Sequence, residues 1–156
     1  MGKPTRFYYI LSAALGIVAF VFGIISNSGI ANNFVFIIVL DILLVVIGFL
    51  AGASAKARQE NPIKVGALVG AIYGLIVGIP TLFTTVTRSE VAHSYRGKII
   101  SNSSITQVVN AANSPVSHIL ILSGSVVTRL LLGLISAYVG AFVMRSKDST
   151  YNNKKI

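Results

Sequence analysis

Two ionisable side chains stand inside otherwise apolar runs: Asp41 in the second run and Arg129 in the fourth. A charge at the centre of a membrane helix costs about 2.5–3.5 kcal/mol on insertion scales, so such residues are rare and have a purpose. Asp41 lies 15 residues before Lys56, and Arg129 lies 16 before Arg145. With a rise of about 1.5 Å per residue, two helices running the same way carry these charges at nearly one depth. Helical phase puts Asp41 on the face of Gly48 and Gly52, and Arg129 on the face of Gly133, Ser136 and Gly140. In each helix the charge sits on the small-residue side, where a neighbour approaches closest. The expectation is an Asp41–Arg129 salt bridge inside a helical bundle, with Tyr73 or Ser125 as a candidate third member. Such a pair serves as a gate, a proton site or a substrate contact, or else it fixes which helices adjoin and in what register. The scarcity of other polar groups at that depth favours the packing role.

Little else in the chain has the makings of a site. Cys is absent, which excludes disulfides, thiolate metal sites and a cysteine nucleophile. His93 and His118 are 25 residues apart without carboxylates at ligand spacing, and read as solvated loop histidines. Glu60 and Glu90 lie among basic residues and read as surface charges. Asn102-Ser103-Ser104 is a glycosylation sequon. No phosphate-binding loop, nucleophile elbow, zinc-protease helix or dinucleotide fingerprint is present. No catalytic residue, metal or cofactor is expected.

The elements that position the pair follow from composition. The chain has 156 residues, 54% hydrophobic and 11% charged, with a mean hydropathy of +0.80. Soluble domains carry about 25% charged residues. The net charge of +9 comes from short segments beside apolar runs, which points to anionic lipid headgroups rather than nucleic acid. The expected fold is an all-α, four-helix membrane bundle comprising one unit, residues 1–156.

The first run, Phe7–Ile25, is 19 residues long. That exceeds the apolar core of a signal peptide, so it is expected to remain as a membrane helix, although Ser26-Asn27-Ser28 resembles a weak cleavage site. Phe7, Tyr8 and Tyr9 suit the membrane interface. Ser26–Asn33 reads as a short turn, Phe34–Ala55 as the second helix, and Lys56–Lys64 as a charged loop with Pro62 placed to open the next helix. The third run, Val65–Val86, repeats glycine every fourth residue, at Gly66, Gly70, Gly74 and Gly78. Those four make a flat strip for close helix packing. Pro80 should loosen its last turn, with Thr81, Thr84 and Thr85 available to the freed carbonyls.

Thr87–His118 reads as one long polar connection. In it Ser104 to Gln107 resembles a capping box, and Ile105, Val108, Val109 and Ala112 follow at helical spacing, so a short amphipathic surface helix is expected. Ile119–Met144 is the fourth helix and Arg145–Ile156 a basic tail. With the N-terminus inside, nine Lys and Arg fall on the inner side (Lys3, Arg6, Lys56, Arg58, Lys64, Arg145, Lys147, Lys154, Lys155) and three outside (Arg88, Arg96, Lys98). Both termini are therefore expected to be cytoplasmic, in the cell membrane of a prokaryote.

Leu40–Ala53 aligns without gaps on Thr128–Ala141. Asp41 falls on Arg129, Gly48 on Ser136 and Gly52 on Gly140. This hints at two hairpins related by an axis along the membrane normal. The leading functional expectation is a non-enzymatic membrane subunit that packs on other membrane proteins, or on itself, through glycine-rich faces within the lipid bilayer. The alternatives are a small oligomeric transporter or channel using Asp41 and Arg129, and a holin-like membrane-perturbing protein.

Overall fold

The computed structural model describes the backbone of residues 4–25, 30–96 and 101–152, and side chains over 4–23, 35–96 and 101–144. The elements are α1 (Thr5–Ile25), α2 (Ile30–Ala57), α3 (Pro62–Gly78), a 3-10 turn (Ile79–Leu82), α4 (Arg88–Ser94), α5 (Asn102–Ala112) and α6 (Pro115–Asn152), with no strand among the described residues. Four of these segments are long and apolar enough to cross a membrane: Thr5–Gly23, Val35–Ala57, Pro62–Leu82 and Pro115–Met144. The chain has the build of a multi-pass membrane protein.

Local chemistry sets the boundaries. The α2–α3 turn closes with Gln59 in the left-handed region at φ 60°. Glu60 N donates to Ala55 O at 2.9 Å and Gln59 N to Lys56 O at 3.1 Å. This is the double C-terminal cap that usually ends in glycine. Asn61 then caps α3, its Oδ1 accepting from Ile63 N at 3.0 Å and Lys64 N at 3.3 Å, with Pro62 in the first turn. At the other end Pro80 stops the α-helix and the chain tightens into the 3-10 turn. Thr81 Oγ1 donates to Gly78 O at 2.6 Å and Thr84 Oγ1 to Pro80 O at 3.0 Å. Thr85 makes no such bond among the described residues.

Several boundaries differ from the sequence-based ones. Residues 30–33, expected in a turn, already belong to α2. α6 begins at Pro115, capped by Ser114 Oγ, which accepts from Ser117 N at 3.2 Å. It continues to Asn152 through most of the expected tail. The connection holds two helices rather than one. α4 is set by a capping box in which Thr87 Oγ1 accepts from Glu90 N at 3.4 Å and Glu90 Oε2 accepts from Thr87 N at 2.7 Å. α5 starts at Asn102 because Ser101, not Ser104, is its cap, accepting from Ser104 N at 3.1 Å. Asn113 clasps Val86, accepting from its N–H at 2.7 Å and donating to its carbonyl at 2.9 Å. Lys3, Ser26-Asn27-Ser28, Lys98 and the terminal Lys154 and Lys155 lie outside the described residues.

α2 and α3 form the middle of the bundle. α6 fills the groove on one side of them and α1 the groove on the other, and α1 does not touch α6 among the described residues. The helices alternate in direction. Phe22 of α1 stacks on Phe36 of α2, their ring centroids 3.7 Å apart. α1 runs parallel to α3, held by Ser12 Oγ donating to Val69 O at 2.6 Å. The core is built from Leu40, Leu44, Ile47, Ala51 and Ala55 of α2 with Val65, Val69 and Tyr73 of α3. Tyr8 joins it, while Phe7 beside it is exposed.

Candidate functional site

The site is assembled on α6, which presents one small-residue face to α3 and another to α2. Toward α3 the packing is antiparallel. A Cβ on Gly66 would overlap the Gly133 carbonyl oxygen and the Ala137 side chain. One on Gly70 would overlap the Arg129 carbonyl oxygen. One on Gly74 would come within 2.9 Å of Val126 Cα, and one on Gly78 would meet Leu122. Real Cβ atoms do not tolerate such distances from backbone, so glycine at 66, 70 and 74 is what lets α3 and α6 touch backbone to backbone, whereas at Gly78 the neighbour is the flexible end of a leucine side chain.

Toward α2 the packing is parallel and reciprocal. A Cβ on Gly48 would overlap the Ser136 hydroxyl. One on Gly52 would overlap the Ala137 carbonyl oxygen, and one on Gly140 the Phe49 carbonyl oxygen. The last two contacts are the same contact with the helices exchanged: 49 and 137, like 52 and 140, are 88 positions apart. The seam thus has the isologous pattern of a twofold interface. The other helices do not follow it, since α3 packs on α2 while its counterpart α1 leaves α6 untouched.

Asp41 and Arg129 are also 88 apart, at one end of this seam. Arg129 Nε donates to Asp41 Oδ1 at 3.2 Å. Arg129 Nη1 donates to Ser125 Oγ at 2.9 Å, and Ser125 Oγ donates to Gly74 O at 3.1 Å. The guanidinium carbon lies 5.7 Å from the centre of the Tyr73 ring, within cation–π range. The fold therefore brings together Asp41, Arg129, Tyr73 and Ser125, from three helices. The pair is not sealed: the Asp41 side chain is 27% exposed and that of Arg129 13%. Tyr73 is wholly buried with its hydroxyl beside both charged groups. Arg129 stands at the centre of the span Pro115–Met144 and Tyr73 next to the centre of Pro62–Leu82. Asp41 lies nearer the Val35 end of its span.

The remaining candidates stay apart from this cluster. His93 is in α4 and His118 in the first turn of α6. No group of three metal-ligating side chains occurs among the described residues. Glu90 is exposed but does more than carry surface charge, because the hydrogen bonds from Thr87 hold its carboxyl below the usual range. The sequon Asn102-Ser103-Ser104 forms the first turn of α5. Two surface grooves lie at the α2–α3 turn end of the bundle; one is lined by Lys56, Asn61, Tyr138 and Phe142, the other by Tyr8, Ser54, Arg58 and Met144.

Sequence reasoning missed Ser12, a buried hydroxyl tying α1 to α3, because a serine in an apolar run carries no signal of what it faces. It also missed the Thr87–Glu90 capping box, whose T-x-x-E spacing was visible. The chain matches no protein-family model, and no curated protein or solved structure is similar to it.

Proposed function

We propose that the chain is a small, non-enzymatic subunit of a membrane assembly, and that it works by packing against another membrane protein or a second copy. The observation that carries this is how the surface is spent. The glycine strips are filled by the chain's own helices, so they leave no face for a partner, contrary to the expectation from their number. What remains outward within the spans is large and apolar, including Ile10, Leu120, Ile135 and Phe142. Such a surface lies as well against a foreign helix as against lipid tails. Outside the spans the described residues form two short helices and their links, which offer little room for catalysis.

The same proposal puts both termini in the cytoplasm of a prokaryotic cell, by the excess of nine basic residues over three. It involves lipid and protein partners but no nucleic acid. Purification in mild detergent followed by mass spectrometry tests it. Stoichiometric recovery of a larger membrane protein, or a defined homo-oligomer, is expected; a lone monomer in detergent and in nanodiscs would sink it.

A second reading, a small transporter or channel, is favoured by one observation: the half-open Asp41–Arg129 pair, joined by Ser125 and Tyr73, with Arg129 and Tyr73 near mid-span. Intramembrane ionisable groups often mark an ion or substrate path. Flux through liposomes containing this protein alone, changed by Asp41→Asn, would move the assignment there.

A further inference from the structure

We propose that the groove along α2 at the turn end of the bundle holds one anionic phospholipid, its phosphate on Arg58 and an acyl chain running toward Leu50. The groove exists because α1 and α6 both pack on α2 without touching each other among the described residues. Leu50, Ala53, Ser54 and Ala57 line it from α2, Tyr8 from α1, Met144 from α6, and Arg58 from the turn beyond. The four α2 positions follow at i, i+3, i+4 and i+7, so they share one face. Two alanines and a serine keep that face low between its neighbours. The space is about 560 Å³, within the range of about 300–1,000 Å³ typical of ligand sites.

Polarity along the groove selects the occupant. Leu50 and Arg58 are eight residues apart, about 12 Å along a helix. Arg58 lies just past the span Val35–Ala57, at headgroup depth, and Leu50 lies within the span. Arg58 is exposed and makes no ion pair or side-chain hydrogen bond among the described residues. No acid among the described side chains lines this groove; Glu60 lines the other one, with Lys56. The last carbonyls of α2 are taken by the turn itself. Ser54 O and Ala55 O accept from Arg58 N at 3.2 and 3.1 Å, and Ala55 O also from Glu60 N at 2.9 Å. A free phosphate would leave the apolar length of the groove empty, and a zwitterionic headgroup would bring its own cation toward the guanidinium. An anionic phospholipid meets both ends, and basic pockets between membrane helices suit such headgroups. The inference holds whether the chain is a subunit or a transporter.

Native mass spectrometry of the full-length protein in detergent, titrated with phosphatidylglycerol or phosphatidylcholine, tests it. One phosphatidylglycerol is expected to stay bound under activation that strips phosphatidylcholine; equal retention of the two would overturn the proposal. Arg58→Ala should weaken retention about fivefold, the worth of one basic residue at an anionic surface. Lys56→Ala removes the same charge beside the other groove and should change little. Equal losses would mean a diffuse basic surface and no site. Ala57→Phe fills the groove with Arg58 in place and should also release the lipid; unchanged binding refutes the groove as its seat. Excess inorganic phosphate should not compete, and displacement by it means that Arg58 takes a free anion instead. All three substituted positions are exposed. Should a variant still fail to fold, the comparison of the two lipids on the wild-type protein decides.

Discussion

The carbonyl oxygen of Arg129 occupies the place that a Cβ of Gly70 would need. One residue therefore serves two interfaces. Its backbone is the surface on which the α3 glycine strip lies, and its side chain reaches across to Asp41 of α2. Gly70→Leu is expected to push α3 from α6 and to disturb the ion pair with it. Overpacking typically costs about 1–3 kcal/mol, and a leucine against backbone belongs at the top of that range or beyond it. Gly124→Ala is the control, since nothing lies within 4 Å of a Cβ there. It should be neutral or stabilising by up to about 1 kcal/mol. Thermal melts in detergent compare the two, and equal melting temperatures would show that the strip is not an organising surface.

The Asp41–Arg129 pair should behave as a matched unit. Removing one partner, as in Asp41→Ala or Arg129→Ala, leaves a charge stranded at membrane depth. Losses for such breaks are about 3–5 kcal/mol when the site is fully buried; the partial exposure here places the expected loss below that range. Asp41→Leu with Arg129→Met should cost less than either single removal. The exchange Asp41→Arg with Arg129→Asp should recover part of what each single reversal loses. A double reversal no better than the singles would show that the two residues do not act through direct pairing.

The α4 capping box predicts a local pH dependence. Glu90 has its carboxyl lowered from the ordinary value by hydrogen bonds from Thr87. A depressed acid stabilises the fold fully above its unfolded pKa, and that contribution is lost as pH falls through the lower folded value. Amide exchange over residues 88–94 should therefore quicken as pH drops below the ordinary glutamate range, beyond the intrinsic pH effect on exchange. Glu90→Gln should remove most of that extra dependence. If wild type and variant share one profile, the cap is not formed.

Gln59 closes α2 in a conformation that costs a residue with a side chain about 1–2 kcal/mol relative to right-handed geometry. Gln59→Gly should stabilise the protein by roughly 0.5–1 kcal/mol, after allowing for glycine's greater freedom in the unfolded chain. An unchanged or lower melting temperature would show that the turn does not require that conformation.

Much of this molecule is written in residue types whose meaning does not depend on context. Long apolar runs, Pro62, Pro80 and the spacing of the four strip glycines mark the helices, because in hydrocarbon a backbone must satisfy itself. Asp41 and Arg129 stand out for the same reason. What glycine cannot announce is which neighbour it admits. The strip of α3 was open to a foreign helix on sequence grounds, and α6 fills it. The ends were harder to read. Ser101, Ser103 and Ser104 are all competent caps, and nothing in their residue type says that Ser101 is the one that starts α5. α4 is only seven residues long, too short for periodicity to show and visible only through its capping box.

The reciprocal seam between α2 and α6 has a consequence for how the protein is made. A surface that fits its own image does not distinguish self from sister: α2 of one chain is shaped to zip onto α2 of another. Opposite charges at the matched positions break that ambiguity, since Asp41 would face Asp41 and Arg129 would face Arg129 in the wrong pairings. Yet Asp41 is synthesised 88 residues before Arg129, and until α6 enters the membrane it has neither its counter-charge nor a cover for its glycines. An interrupted chain is thus expected to be marked as unfinished by its own unpaired acid. A truncation ending at Ser114 is expected to be degraded, and to survive longer with Asp41→Leu; equal lifetimes in a pulse-chase would show that the stranded charge is not what marks it.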